Sequence, residues 1–234
     1  MEDSQSKIYD ELRAALQFYQ ALGVEALPVL LQTVPDRPRE GSGKAELLAQ
    51  LREEIGDCKR CKLSEGRKNI VFGEGDGGAL LMFIGEGPGR EEDIQGRPFV
   101  GDAGLLLTKL IEKMSVAEKN LTRADVYIAN IVKCRPPMNR DPEEDEIASC
   151  RGFIERQIEI IRPEIIVTLG RIALQTLLKR PELRITAARG NFFEYRGIPV
   201  MPTFHPAYLL RNPKDKWLTW SDAQKVMERL GGHD

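Results

Sequence analysis

From Lys44 onward, short apolar runs alternate with stretches of helical periodicity. That alternation constrains the fold more than any other feature of the chain. "ALLMFIG" (79–85), "VYIANIVK" (126–133) and "EIIVTLG" (164–170) are too short for helices and too apolar for a half-wet surface. They read as strands buried on both faces. Between them lie predicted helices over about 44–56, "DAGLLLTKLIEKM" (102–114), "EEDEIASCRGFIERQIEII" (143–161, with Pro142 at its start) and "RIALQTLLK" (171–179). "FFEY" and "IPVMPTF" read as two more short strands across a tight turn at Arg196-Gly197, with helical segments after His205-Pro206 and over 217–231. Strands alternating with helices predict an α/β fold in three αβα layers, its central sheet mostly parallel and about four strands wide. Such sheets bind ligands beyond the carboxyl ends of their strands. Gly85–Gly89, Asn130–Arg135 and Thr203–His205 all end there, and are predicted to be neighbours in space.

The N-terminal region is organised differently. Residues 4–22 place Ile8, Leu12, Leu16 and Tyr19 on one helical stripe, stopped by Gly23; "VEALPVLL" and the Pro- and Gly-rich "TVPDRPREGSGK" follow. A helical extension with its linker over 1–44, packing on its own body or docking a partner, and a main domain over 45–234 are the expected division. A formal net charge of −2 advertises no nucleic-acid binder, although binding needs only a local positive face. No basic-then-apolar leader and no membrane-length apolar run occur, so the expectation is a cytoplasmic protein without a membrane partner.

Two glycine motifs mislead. "GEGDGG" (73–78) matches G-x-G-x-x-G but precedes a strand and so reads as a turn; "GSGKA" has Ala45 where a phosphate loop needs a hydroxyl. "GEGPGREEDIQGRPFVG" (85–101) does follow a strand, but Arg90 stands where a third fingerprint glycine would be needed, and three acids follow. The ligand there is not a pyrophosphate. Cys58 and Cys61 have the spacing of two ligands to one metal, and Cys134 and Cys150 form a second, distant pair. Four thiolates suit structural zinc or an iron–sulfur cluster, and spacing does not separate the two. A redox pair at 58–61, with Cys134 and Cys150 as ordinary buried cysteines, is the other reading. His205 is the one histidine away from the C-terminus.

"CKRCKLSEGRKNIVFGEG", "GEGPGREEDIQGRPFVGDAGLLL", "NIVKCRPPMNRDP" and "HPAYLLRNP" follow one another over roughly residues 45–231. Together they resemble the family 4 uracil-DNA glycosylases, the iron–sulfur branch of that superfamily. The resemblance implies a monofunctional DNA-repair enzyme that flips uracil from DNA, releases the free base and leaves an abasic site. Its substrate would be single- or double-stranded uracil-containing DNA, its state a monomer, its place the nucleoid of a prokaryotic cell. It implies Asn130 as the reader of the uracil edge, Phe99 as the stacking face, Glu92 as the guard against a C5 methyl, and Gly87 as a backbone contact. His205 would donate to uracil O2 as negative charge leaves with the base, and Glu86 would orient the attacking water. Arg135, Arg140, Arg211 and Lys214 would grip DNA, and Cys58, Cys61, Cys134 and Cys150 would hold a 4Fe-4S cluster, with structural zinc as the alternative. "RPPMNRDP" contains no histidine, unlike the branch that captures uracil covalently, so hydrolysis is expected. Two other readings stay open: a glycosylase for another deaminated base such as hypoxanthine, and a non-enzymatic, metal-braced DNA-binding module.

Overall fold

Every residue of strand β2 (Leu81–Gly85) is buried, and its side chains alternate between two separate cores. Leu81 and Phe83 point to one, Met82 and Ile84 to the other. That is the signature of a sheet covered on both faces. The computed structural model describes residues 41–231, so the helix expected over 4–22 lies outside the described residues.

The remaining strands are β1 (Glu74–Gly75), β3 (Ser115–Val116), β4 (Lys119–Asn120), β5 (Tyr127–Asn130), β6 (Ile165–Leu169), β7 (Phe193–Tyr195) and β8 (Ile198–Thr203). The helices are α1 (Gly41–Ile55), α2 (Arg90–Gln95), α3 (Asp102–Lys113), α4 (Glu144–Ile161), α5 (Arg171–Leu178), α6 (Ile185–Ala188), α7 (Pro206–Arg211) and α8 (Lys216–Gly231). The main sheet runs β1-β5-β2-β6-β8-β7. Its four inner strands are parallel, as expected, but two short antiparallel strands close the edges and make six. The β7–β8 connection is Arg196-Gly197, both at positive φ (49° and 81°), the combination a two-residue hairpin turn needs. At the other edge β1 falls within "GEGDGG", where a Cβ on Gly75 would lie 1.9 Å from the Val126 carbonyl oxygen. Only glycine lets this edge pair.

Register places the functional ends together. Gly85 sits opposite Asn130, Ile84 opposite Thr168, and Leu169 opposite Thr203. The strand expected over 126–133 is shorter than its apolar run, because its partner β2 ends at Gly85. Beyond Asn130 the chain still donates from Ile131 to the Gly85 carbonyl (2.9 Å) and from Val132 to that of Glu86 (3.1 Å).

On one face α1 and α4 supply Leu51, Phe153, Ile154 and Ile158; on the other α3 and α8 supply Leu107, Ile111 and Val226. Each such fully buried side chain contributes about 1.5–3 kcal/mol of transfer free energy. The acidic run after "GEGPG" forms α2, a helix absent from the sequence reading. Glu91, Glu92 and Asp93 occupy its first turn, where the N-terminal dipole favours acids, and Gly96 ends it at φ 69°.

Candidate active site

The carboxyl ends of β2, β5 and β8 open into a cavity of about 480 Å³. Glu86, Gly87, Glu92, Phe99, Asn130 and His205 all line it, from four separate stretches of chain. The neighbourhood expected of the three strand ends is present.

Asn130 stands at the end of β5 with 1% exposure, and its Oδ1 is buried with no donor bound to it. A buried acceptor left unpaired costs about 1–3 kcal/mol, so the site holds an unmet demand for an N–H. Lys133 fixes the backbone behind it. Its buried Nζ donates to the Asn130 carbonyl (2.8 Å) and to Gln157 Oε1 (2.6 Å), and burial pushes the ammonium down to about 8.

Gly85 faces the same space. A Cβ there would come within 2.5 Å of both Asn130 Oδ1 and Phe99 Cζ, so the strand must end in glycine for those side chains to meet across it. Phe99 is buried at 6% exposure with φ 52°, a left-handed conformation costly for a bulky residue. Arg123, which sequence reasoning missed, holds it: Nη1 donates to the Phe99 carbonyl (3.0 Å) and Nη2 to that of Pro98 (2.7 Å). Glu74 accepts from Arg123 (3.3 Å) and Arg97 (2.7 Å) behind this clamp. The pair of arginines keeps Glu74 below its ordinary carboxylate range. The Phe99 ring lies 5.7 Å from the imidazole of His205, inclined by 35°.

Glu92 lines the cavity, but one oxygen is committed. Oε1 accepts from the backbone N–H groups of Val100 (2.8 Å) and Gly101 (3.0 Å), anchoring the loop that carries Phe99.

His205 caps α7: its Nδ1 accepts from the Ala207 N–H at 3.1 Å. With Nδ1 an acceptor, the proton of a neutral ring must sit on Nε2, leaving a donor free for a ligand. Burial, with help from the Arg211 charge, lowers its pKa to about 4, so the ring is neutral at ordinary pH. Glu86 moves the other way. Burial, then repulsion from Asp141, raises it to about 7, while Arg171 opposes. Asp141 and Arg171 are themselves paired at 2.6 Å, a neighbouring ion pair that motif reading did not single out.

The four cations expected to grip DNA are unequally placed. Arg211 is exposed and lines the cavity, whereas Lys214 is exposed on the Pro213–Asp215 turn outside it. Arg135 is half-buried, its Nε donating to Asn139 Oδ1 (2.7 Å). Arg140 lines the cavity, but its guanidinium is doubly bound to the buried Glu146 (2.6 and 2.8 Å) and reaches Glu143 (3.1 Å). Glu146 also closes the capping box of α4. Arg140 therefore secures a helix start, and its fork is already filled.

None of the four cysteines is in a disulfide. Cys134 and Cys150 belong to the core beside α4, and Cys58 and Cys61 pack against it. The thiols feel one another: Cys150 and Cys61 act on Cys134, and Cys61 and Cys58 act on Cys150. Burial pushes Cys134 up to about 11 and raises Cys150 as well. Donors nevertheless point at the sulfurs, from Arg67 Nη1 to Cys134 Sγ (3.6 Å) and from the Lys133 N–H to Cys150 Sγ (3.3 Å). Among the described residues no group of three or more His, Cys, Asp or Glu is arranged to hold a metal ion. The donor type suits a thiolate-held centre: soft sulfurs, apolar walls, N–H groups directed at sulfur, and a burial cost that a bound cation would repay.

Residues 72–226 match the Uracil DNA glycosylase superfamily. The chain is 49% identical over 185 residues to a type-4 uracil-DNA glycosylase of Saccharolobus solfataricus, covering 76% of this chain and 84% of that protein. It is 48% identical over 170 residues to one of Thermotoga maritima, covering 72% and 86%. This chain belongs to the type-4 uracil-DNA glycosylases. A type-5 uracil-DNA glycosylase of Pyrobaculum aerophilum is more distant, 32% identical over 166 residues, covering 66% of this chain and 72% of that protein. The αβα fold is that of the uracil-DNA glycosylase superfamily. No described helix is long and apolar enough to cross a membrane.

Proposed function

We propose that this protein excises uracil from DNA, with a flipped base held in the cavity between Phe99, Asn130 and His205. The observation that carries the reading is the unpartnered Oδ1 of Asn130, buried in the same cavity as the free Nε2–H of His205.

Uracil offers N3–H to an acceptor and O4 to a donor, and one carboxamide meets both. Cytosine reverses both and would leave Asn130 and the base facing like against like. Sites built on such polar pairing reject the wrong partner by about 10⁴–10⁵. The Phe99 ring supplies a face on which an extruded base stacks. Gly87, on the wall of the cavity, leaves its backbone accessible to the base. Glu92 positions the Phe99 loop through Oε1, and from the cavity wall its carboxylate would crowd a C5 methyl.

Cleavage of the N-glycosidic bond puts negative charge on uracil N1 and O2 and positive character on the sugar. The neutral imidazole of His205 donates from Nε2 to O2, a bond that strengthens as charge grows. One such donor is worth about 2.7–4 kcal/mol of barrier, or ~10²–10³ in rate. Glu86, when ionised, orients water and faces the cationic sugar; with its pKa near 7 it accepts a proton from that water readily.

Cys58, Cys61, Cys134 and Cys150 would hold a 4Fe-4S cluster. Such a group would act as a brace, fixing the segment from Cys134 to Arg140 beside the cavity. Arg211 and Lys214 are the free cations for DNA phosphate. Release of labelled uracil from a single-stranded oligonucleotide tests the reading. The wild type releases it and His205→Ala falls by at least about 100-fold; equal rates would refute the assignment.

A further inference from the structure

The base cavity leaves a larger hollow unexplained. A groove of about 800 Å³ lies between α3, α7 and α8, floored by Leu107, Leu169, Phe204 and Leu209. Its rim carries Trp217, 67% exposed, and the exposed ammonium groups of Lys109, Lys113 and Lys216, against one carboxylate, Glu112. No described acid pairs with any of the three lysines. Such a rim is out of keeping with a chain whose formal net charge is −2.

This groove adjoins the base cavity. His205, Ala207, Tyr208 and Arg211 of the α7 region face the cavity, while Pro206 and Leu209 face the groove. Helix α3 is shared in the same way, Asp102 and Ala103 lining the cavity and Leu106 and Leu110 the groove. Leu169 is the last residue of β6 and Phe204 follows the end of β8, so both hollows open on the carboxyl edge of the sheet. The ridge between them is fixed, since Tyr208 Oη donates to Asp215 Oδ2 at 2.7 Å. Arg211 lines the cavity and Lys216 the groove, with the exposed Lys214 on the turn between them in sequence.

We propose that the groove binds the single-stranded flank of the DNA whose uracil occupies the cavity, with one flanking base stacked on the indole of Trp217 and its phosphates against Lys216, Lys109 and Lys113. The inference rests on the uracil-excision reading. An exposed aromatic ringed by unpaired cations is what a flexible polyanion with free base faces requires. A duplex has no free base face to give Trp217, because its bases stack on each other. An apolar protein helix could cover the floor but would leave three ammonium groups without partners.

The experiment compares fluorescence-anisotropy affinities of the full chain for single strands with one uracil and either one or ten nucleotides on each side. Trp217→Ala is expected to weaken binding of the long strand by about 5- to 150-fold and that of the short strand by less than about twofold. A Lys109→Gln/Lys113→Gln/Lys216→Gln variant is expected to lower the salt slope of long-strand binding by about 2. Since all four side chains are at the surface, circular dichroism of both variants should match the wild type. Equal losses on long and short strands, or no loss on either, overturn the proposal. So does a change confined to self-association or to binding of duplex. A wild type that releases no uracil from any strand would instead refute the function. In that case the flank dependence of binding is still read by anisotropy on the same strands, so the two failures are distinguishable.

Discussion

Replacing Glu86 by glutamine should make the protein more stable and less active, and the stability gain should depend on pH. The carboxyl of Glu86 is raised from its ordinary 4.5 to about 7, chiefly by burial and then by Asp141. Between these two values the folded state holds a proton that the unfolded chain has released. Stability contributed by this group is therefore fully present below about 4.5 and is lost as pH rises through about 7. At 1.36 kcal/mol per pKa unit the ceiling is roughly 3.4 kcal/mol. Part of the carboxylate remains in solvent, and screening reduces the expected penalty to about 1–2 kcal/mol. Glutamine is neutral throughout. The Glu86→Gln variant should match the wild type near pH 4.5 and exceed it by about 1–2 kcal/mol at pH 8. In urea melts this is a midpoint shift of roughly 0.5–1 M. Uracil release should fall by about 10²–10⁴ in the same variant. The wild-type rate should rise through an inflection near pH 7, and that inflection should vanish. Superimposable melts at pH 8, or an inflection that survives the substitution, would refute the reasoning.

Other expectations follow from the same geometry. Gly85→Ala must displace Asn130 or Phe99, so uracil release should drop by more than about 100-fold, with a stability loss of about 1–3 kcal/mol by urea titration. The His205 ring, lowered to about 4, contributes stability that is present above about 6.5 and lost as pH falls through about 4. His205→Ala should therefore flatten the melting profile over that window while abolishing most turnover, and an unchanged acid slope would count against a buried neutral imidazole. Cys134→Ser should lower both thermal stability and DNA affinity. The purified wild type should show iron, sulfide and broad visible absorption by metal analysis and spectrophotometry. Stoichiometric zinc in a colourless protein would overturn the cluster assignment, and unchanged stability in Cys134→Ser would overturn its bracing role.

The convergence of the strand ends on one cavity is legible in the sequence for a physical reason. Short continuous apolar runs set against period-3.6 stretches mark where the strands end, and a parallel sheet brings those ends to one edge. Gly85, Asn130 and Thr203 were placed that way, and register brings them to one edge of the sheet. What stayed hidden depends on partners distant in sequence. Nothing around Arg123 announces that its guanidinium holds the backbone of Pro98 and Phe99. Arg140 looked free for phosphate because a motif does not show that Glu146 fills its fork. The β3–β4 hairpin escaped notice because its turn, Ala117-Glu118, takes positive φ at both residues without glycine or asparagine. Trp217 and the lysines around it belong to two helices more than a hundred residues apart, and only packing makes them a surface.

The most direct test uses three single-stranded oligonucleotides identical except for uracil, cytosine or thymine at one position, each treated with wild type and with Asn130→Ala. The expected result is release of uracil by the wild type alone, with cytosine slower by about 10⁴ or more. Thymine should be rejected, and uracil release should be largely lost in the variant. Release of cytosine at a comparable rate, or uracil release that survives loss of the Asn130 carboxamide, would contradict the central claim.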